Sequence, residues 1–153
     1  MSDMAKKWEI EGIDIHKTLC DSTKVILTQR VEYLLAEIQN FFENETIGNL
    51  HRIRIALRRV RYNMELFKAC FDKKKFLIFY KRVEFLQDIS GNVRDLDVLS
   101  QNILAIKEEK IRITKSVINK IGEKRENLKE NFKLELMKFI HSKALSNFQK
   151  LLS

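Results

Sequence analysis

A row of basic and protonatable side chains runs along the stretch from His51 to Phe67. At about 100° per residue in an α-helix, its members fall within an arc of roughly 80°. These members are His51, Arg54, Arg58 and Arg61. The facing arc is apolar and consists of Ile53, Ala56, Leu57, Val60, Met64 and Phe67. One acid, Glu65, lies at the far end of the row, whereas a solvated helix face normally mixes both signs of charge. Uncompensated positive charge of this density predicts that the row binds an anion.

The positive charge of the chain is concentrated around this row. Residues 51–82 contain eleven Lys and Arg against two acids, so this segment has a net charge of +9. The whole chain has a net charge of +8, so the rest of the chain has a net charge of −1. Such local basicity favours a binding site over a general contribution to solubility.

The composition predicts an all-α fold. Proline is absent and only four glycines occur, so the usual β-turn residues are missing and long helical patterns run uninterrupted. With 153 residues and 44% apolar residues, we expect a single domain over residues 1–153, with 1–12 as a loose lead-in. The patterns predict an antiparallel helical bundle of about four to five long helices.

The apolar spacing predicts where the helices begin and end. A first helix is expected from about Ile13 to Phe42, and Asn44 or Thr46 then caps a second helix that ends near Phe71. Asp72 is expected to cap a third helix that opens with three lysines, Lys73 to Lys75, for which a solvated helix start is the simpler interpretation. From about residue 108 to 152 one long helix is predicted, with a break near Gly122 or around 141–142.

The third helix is expected to kink or break at Ser90-Gly91-Asn92, with Asn92 and Asp95 forming a capping pair that restarts it. Asp97 lies three residues after Arg94 on the same helical face. We therefore expect the carboxylate of Asp97 to hold the Arg94 guanidinium in position.

No metal site or cofactor is predicted. Asp95 and Asp97 diverge by about 200° around a helix and do not share one ion. His16 and Cys20 have a spacing that suits zinc, but no second close pair accompanies them. Cys20 and Cys70 are expected to be free thiols in a reducing compartment, which favours the cytoplasm. No apolar run approaches the roughly 20 residues that span a bilayer, and the N-terminus lacks the apolar segment of a signal peptide.

Two motifs together resemble the CHAD domain (conserved histidine α-helical domain). The first is His51-x-x-Arg54-x-x-x-Arg58-Arg59-x-Arg61, and the second, about 30 residues later, is Gly91-x-x-Arg94-Asp95-Leu96-Asp97-Val98-Leu99. The resemblance covers roughly residues 15–150 and implies an all-helical domain that binds inorganic polyphosphate through a basic surface and a central pore. It implies that His51, Arg54, Arg58 and Arg61 are phosphate ligands, that Arg94 joins them, and that Arg59 can reach the site.

The sequence departs from the usual family pattern in the number of His/Arg-rich helices. A full CHAD domain has two similar halves about a pseudo-two-fold axis, each with such a helix, whereas this sequence has one. The predicted fold is thus half of the pseudo-symmetric CHAD fold. We expect a homodimer to supply the missing half, since symmetric self-association is the commonest oligomeric arrangement.

Polyphosphate suits the row on chemical grounds as well. It is a flexible anion without a base or sugar, and guanidinium groups form forked hydrogen bonds to its oxygens. His51 would add a neutral donor at pH 7, or a charged one if bound phosphate raises its pKa, so binding is expected to strengthen as the pH falls through 7.

Other function classes remain open. A helical RNA- or DNA-binding module would also carry a local +9 segment, but Phe67, Phe71, Phe76 and Phe79 follow the apolar pattern and are expected in the core rather than exposed for stacking. A polyphosphate-hydrolysing enzyme needs metal-binding carboxylates or an activated nucleophile, and neither pattern occurs. Arg52 and Arg59, off the main row, have an alternative role in ion pairs with acids of the C-terminal helix. The predicted function is a polyphosphate-binding module and not an enzyme.

Overall fold

A computed structural model of the chain describes residues 10, 18–108 and 112–153. Within these ranges the chain forms five α-helices and no strand. The helices are α1 (Leu19–Glu43), α2 (Ile47–Leu66), α3 (Lys73–Glu108), α4 (Lys115–Ile140) and α5 (Lys143–Leu152). The predicted all-α bundle is confirmed. The predicted lead-in lies, apart from Ile10, outside the described residues, as does the predicted beginning of the first helix at Ile13.

The core is built from the apolar faces of all five helices. Phe79 of α3 stacks on Phe148 of α5 with ring centroids 4.1 Å apart, and Phe41 of α1 packs against Phe132 of α4. On α2 the predicted apolar arc is buried from Ile53 to Met64, and Leu50 in the first turn joins it. The buried residues are Leu50, Ile53, Ala56, Leu57, Val60 and Met64. Phe67, the last predicted member, is the C-cap of α2 and is only half-buried. This burial fixes which face of α2 remains exposed.

Hydroxyl caps set two of the helix starts. Thr46 Oγ1 accepts a hydrogen bond from the backbone N–H of Asn49 (3.0 Å), and Ser142 Oγ accepts one from that of Leu145 (3.2 Å). Each satisfies an amide that has no partner within its helix. The C-terminal pattern therefore breaks at His141, and α4 continues through Gly122. α2 ends at Leu66, earlier than predicted, because a 3₁₀ turn at Lys68–Cys70 takes up the next residues.

The predicted break at Ser90-Gly91-Asn92 is wrong, and so is the capping pair of Asn92 and Asp95. α3 runs without interruption through this point, with Ser90 and Val93 fully buried. A glycine inside a helix costs only about 1 kcal/mol relative to alanine. Burial of a single large apolar side chain contributes about 1.5–3 kcal/mol, so packing of the helix on both sides of Gly91 outweighs that cost.

Asp97 does not hold Arg94, which corrects the predicted pair. Its side chain is fully buried and accepts a hydrogen bond from Arg125 Nε on α4, while its second oxygen is buried without a hydrogen-bond partner. Position 97 faces the α3–α4 contact, and helix spacing alone does not reveal a partner on another helix. The pair ties α4 to α3, because a buried carboxylate without its cation is strongly destabilising.

Cys20 and Cys70 form a disulfide, so the expectation of two free thiols is wrong. The bond joins the first turn of α1 to the 3₁₀ turn after α2, with Cα atoms 5.3 Å apart and a sequence separation of 50. Closing a loop of that length removes chain entropy worth about 4 kcal/mol in the unfolded state. The cytoplasmic location stays a prediction, but its premise of free thiols does not hold. None of the described helices combines the length and apolarity needed to cross a bilayer.

Candidate functional site

α2 and α3 pack side by side, and the exposed face of α2 borders a cleft on α3. The cleft has a volume of about 340 Å³. It is lined by Arg54, Gln87, Asp88, Gly91, Asn92 and Asp95. The two sequence motifs, about 30 residues apart in the chain, therefore meet at one surface.

His51 lies where these motifs meet. Burial holds its pKa below the ordinary value, and the positive charges of Arg94, Arg54 and Arg58 lower it further. The three arginines are thus close enough to His51 to disfavour its protonated, positively charged form. The Nδ1 atom of His51 is buried without a hydrogen-bond partner. The structure accordingly brings together four of the six predicted site residues, three from α2 and one from α3.

Gly91 permits the close approach of Arg54 to α3. A Cβ atom at position 91 would lie 2.6 Å from Nη1 of Arg54, which is well inside van der Waals contact. The guanidinium therefore rests against the backbone of α3 at Gly91, and a methyl group at this position would push the end of the flexible Arg54 side chain aside. The sequence pattern identified Gly91, but as a helix breaker and not as the residue against which Arg54 packs.

Arg61 has a different environment from the rest of the row. Its Nε donates to Glu65 (3.0 Å) and to the Tyr80 hydroxyl (3.2 Å), and its Nη2 lies 3.5 Å from Glu84. The hydrogen bond with Tyr80, with a further one to Glu65, raises the pKa of Arg61. The same tyrosine lowers the pKa of Glu65 by donating a hydrogen bond to it. Sequence reasoning identified Glu65 but missed the three partners on α3, Tyr80, Glu84 and Gln87, which no local spacing reveals.

Arg59 lies on the opposite flank of the exposed face, next to α1. Its charge adds to burial in lowering the pKa of Arg30, a residue of α1. Over the described ranges, Arg52 and Arg59 form no ion pair with any acid. Their predicted alternative role, ion pairs with the C-terminal helix, is therefore wrong.

Tyr62 is an exposed aromatic that sequence reasoning passed over. It lies on α2 four residues after Arg58 and three after Arg59, with 56% of its surface exposed. By contrast Phe76 and Phe79 are buried, as predicted, and Phe71 packs against the core. The i, i+3 and i, i+4 spacing of Tyr62 from the arginines was the available signal.

A comparison with protein-family models agrees with this geometry. The model of the CHAD domain matches residues 18–152. The chain belongs to the CHAD domain family. CHAD domains are binding modules associated in general with polyphosphate. Searches of curated proteins and of solved structures found no match. No group of three or more His, Cys, Asp or Glu suited to a metal ion occurs among the residues that the structure describes.

Replacing Gly91 by alanine is expected to weaken polyphosphate binding while it increases the stability of the fold. The added methyl group displaces the Arg54 guanidinium and weakens polyphosphate binding severalfold, while the better helix propensity stabilises the fold by up to about 1 kcal/mol. Gly122→Ala is the matched control, because nothing lies within 4 Å of a Cβ at that position on α4. Urea unfolding and a binding titration measure the two effects. Equal polyphosphate affinities of the Gly91→Ala and Gly122→Ala variants would contradict a role in binding for the contact between Arg54 and Gly91.

Polyphosphate affinity is expected to rise as the pH falls below 7. In the free protein, burial and the charges of the neighbouring arginines hold the pKa of His51 below its ordinary value, which favours the neutral imidazole. A bound polyanion offsets the neighbouring arginines and raises this pKa, so binding takes up a proton. Affinity then increases as the pH falls through the bound-state pKa and levels off below the free-state pKa. Titrations from about pH 8 to 5 test this, and a His51→Gln variant with the same pH dependence would show that another group is responsible.

Proposed function

We propose that this chain binds inorganic polyphosphate at a surface formed by His51, Arg54 and Arg58 of α2 and Arg94 of α3. The observation that carries the proposal is the meeting of the two motifs at one cleft, where the Arg54 guanidinium of α2 rests against Gly91 of α3. The charges of Arg94, Arg54 and Arg58 all act on His51 beside it.

Nowhere in the described part of the chain does a carboxylate pair with any of these arginines. Asp88 and Asp95 line the same cleft as Arg54 without pairing with it. Cations held close together without ion-paired carboxylates favour an anion from solution.

The spacing of the arginines suits a chain of phosphates. A helix rises 1.5 Å per residue, which sets Arg54 and Arg58 about 6 Å apart along α2. Each guanidinium has five N–H donors in a planar fork and binds a phosphate through two parallel hydrogen bonds. Because polyphosphate offers no base or sugar, a surface of arginines without a hydrogen-bonding pocket is sufficient to bind it.

Arg61 and Arg59 extend this surface in different ways. Arg61 shares its charge with Glu65 and Glu84, so we expect it to contribute less to affinity than Arg54 and to act mainly by joining α2 to α3. Arg59 carries no ion pair and supplies charge on the α1 side. We propose a binding role without catalysis, in keeping with the family's general character as a binding module.

Nucleic acid is the second candidate ligand, and Tyr62 is the observation that favours it. An exposed aromatic ring beside arginines offers a stacking platform for unpaired bases, worth about 1–3 kcal/mol per base. Polyphosphate has nothing to stack on this ring. The two ligands therefore differ in their dependence on Tyr62.

A competition titration tests the proposal. Labelled long-chain polyphosphate is bound at about 0.2 M salt, which suppresses non-specific polyanion binding, and is challenged with single-stranded RNA and duplex DNA of matched charge. We expect polyphosphate to resist both competitors, the Arg54→Ala/Arg58→Ala variant to lose affinity at least tenfold, and Tyr62→Ala to bind as the unmodified protein does. Displacement by nucleic acid at equal charge, together with a loss in Tyr62→Ala, would favour the second candidate.

We also propose that the domain acts as a homodimer. Large apolar side chains are exposed on α3 and α4, and two of them, Ile78 and Phe85, line a groove of about 450 Å³ together with the charged Lys81, Arg82 and Glu135. These side chains are Ile78, Phe85, Leu134 and Met137, each 44–52% exposed. Apolar surface of this kind is typical of a face that a second chain covers.

Light scattering at tens of micromolar protein measures the assembly. The expected mass is twice the 18.2 kDa of one chain, and Phe85→Ser is expected to lower it because the substitution removes exposed apolar area from the groove. Tyr62→Ser, which removes an exposed aromatic from α2, serves as the control. A mass near that of one chain, with and without polyanion, would contradict the dimer.

A further inference from the structure

The Cys20–Cys70 disulfide lies at the open end of the α1–α2 pair. Residues 44–46 join the two helices at one end, and the disulfide closes the other end by linking the first turn of α1 to the 3₁₀ turn Lys68–Cys70. The last residue of the His51 cluster on α2, Arg58, precedes the end of that helix by eight residues, or about 12 Å. The disulfide is therefore a chemical site separate from the cluster.

The α1 side of the disulfide is weakly held by the rest of the protein. Residues 18–21 are all exposed, and Thr23 is the first buried residue of the helix. Leu19, the apolar residue of this turn, exposes 67% of its surface. The hydrogen bond that Thr18 Oγ1 accepts from the backbone N–H of Asp21 is local to the turn. Without the disulfide, residues 18–21 have no buried side chain that holds them to the core.

The other side of the disulfide is anchored in the core. The backbone N–H of Cys70 donates a hydrogen bond to the carbonyl oxygen of Phe67 (3.0 Å) within the 3₁₀ turn. The next residue, Phe71, stacks on Phe76 with ring centroids 5.2 Å apart and lies 6.1 Å from the ring of Phe148. Phe76 and Phe148 are both buried. The position of Cys70 therefore does not depend on the disulfide.

Cys20 is the more accessible of the two cysteines to a thiol from solution. Cys20 is exposed, whereas Cys70 is half-buried next to Phe71. Thiol–disulfide exchange begins with the attack of a thiolate on one of the two sulfurs, and access helps to decide which one. The N-terminus of α1 stabilises a leaving thiolate at Cys20 and so favours attack on Cys70, but the carboxylate of Asp21 in the same turn opposes this effect. Access therefore selects Cys20.

We propose that the disulfide is a redox-sensitive cross-link, opened by exchange at Cys20 with a small thiol of the glutathione type, and that its opening frees the first turn of α1. The thiolate attacks Cys20 Sγ to form a mixed disulfide. The Cys20–Cys70 bond breaks, and its electron pair leaves with Cys70 Sγ, which takes up a proton. A second thiolate attacks the reductant's sulfur in the mixed disulfide, which releases Cys20 as a thiol and the reductant as its own disulfide. The protein thereby gains two electrons and two protons.

Peptide mapping after a quenched exchange reaction tests which sulfur is attacked. The air-oxidised protein is treated briefly with reduced glutathione and quenched with excess N-ethylmaleimide. Trypsin then releases the two cysteines in separate peptides, residues 18–24 and 69–73. We expect the glutathione adduct on peptide 18–24 to exceed that on peptide 69–73 at least about tenfold, with maleimide on Cys70. A glutathione adduct mainly on Cys70 would overturn the proposal, as would free thiols in the air-oxidised protein.

Backbone NMR chemical shifts measure what the opening does to the fold. In protein reduced with excess glutathione, we expect residues 19–22 to lose the helical shifts that they have in the oxidised protein. α2 and α3 should keep theirs, because Phe71 still anchors the turn between them. The Cys20→Ser/Cys70→Ser variant should match the reduced protein and show no response to glutathione, and the reduced unmodified chain carries the test if this variant fails to fold. Helical shifts retained at residues 19–22 after reduction would contradict the inference, as would their loss throughout α2.

Discussion

The packing of α2 against α3 is the constraint on which the site depends. It brings Arg94 of α3 close to the cations of α2, so that like charges act on His51 from both helices. The opposite face of α2 supplies the compensation, since five large buried apolar side chains contribute about 1.5–3 kcal/mol each. The core thus holds the cluster in place, and a bound polyanion would relieve a repulsion that the fold already tolerates.

Two details of the α2–α3 contact divide α2 into two parts with different roles. Near its beginning, Arg54 rests on Gly91 with no acid paired to it, and its donors remain available. Near its end, Arg61 is bound by Glu65, Glu84 and Tyr80, which join the same two helices through opposite charges. The row that looks uniform in sequence is therefore a binding segment followed by an anchoring segment.

The remaining helices determine what surrounds α2. α1 packs against α2 and adds Arg30 and Glu37 to the flank that carries Arg59. α4 and α5 complete the core, and the Asp97–Arg125 pair fixes α4 against α3.

The sequence by itself determined the helical class, the buried face of α2, the capping of α2 by Asn44 or Thr46, and the family, because these depend on residue spacing within one helix or within short motifs. It also indicated His51, Arg54, Arg58 and Arg94 as one group, though only by resemblance. Tertiary structure decided the rest. The continuity of α3 at Gly91, the partner of Asp97, the partners of Arg61 on α3 and the pairing of Cys20 with Cys70 all depend on which helix packs against which. Local spacing carries no information on such contacts, because the paired residues are 19 to 50 positions apart in the sequence. Gly91 likewise lies opposite Arg54, which is 37 residues earlier.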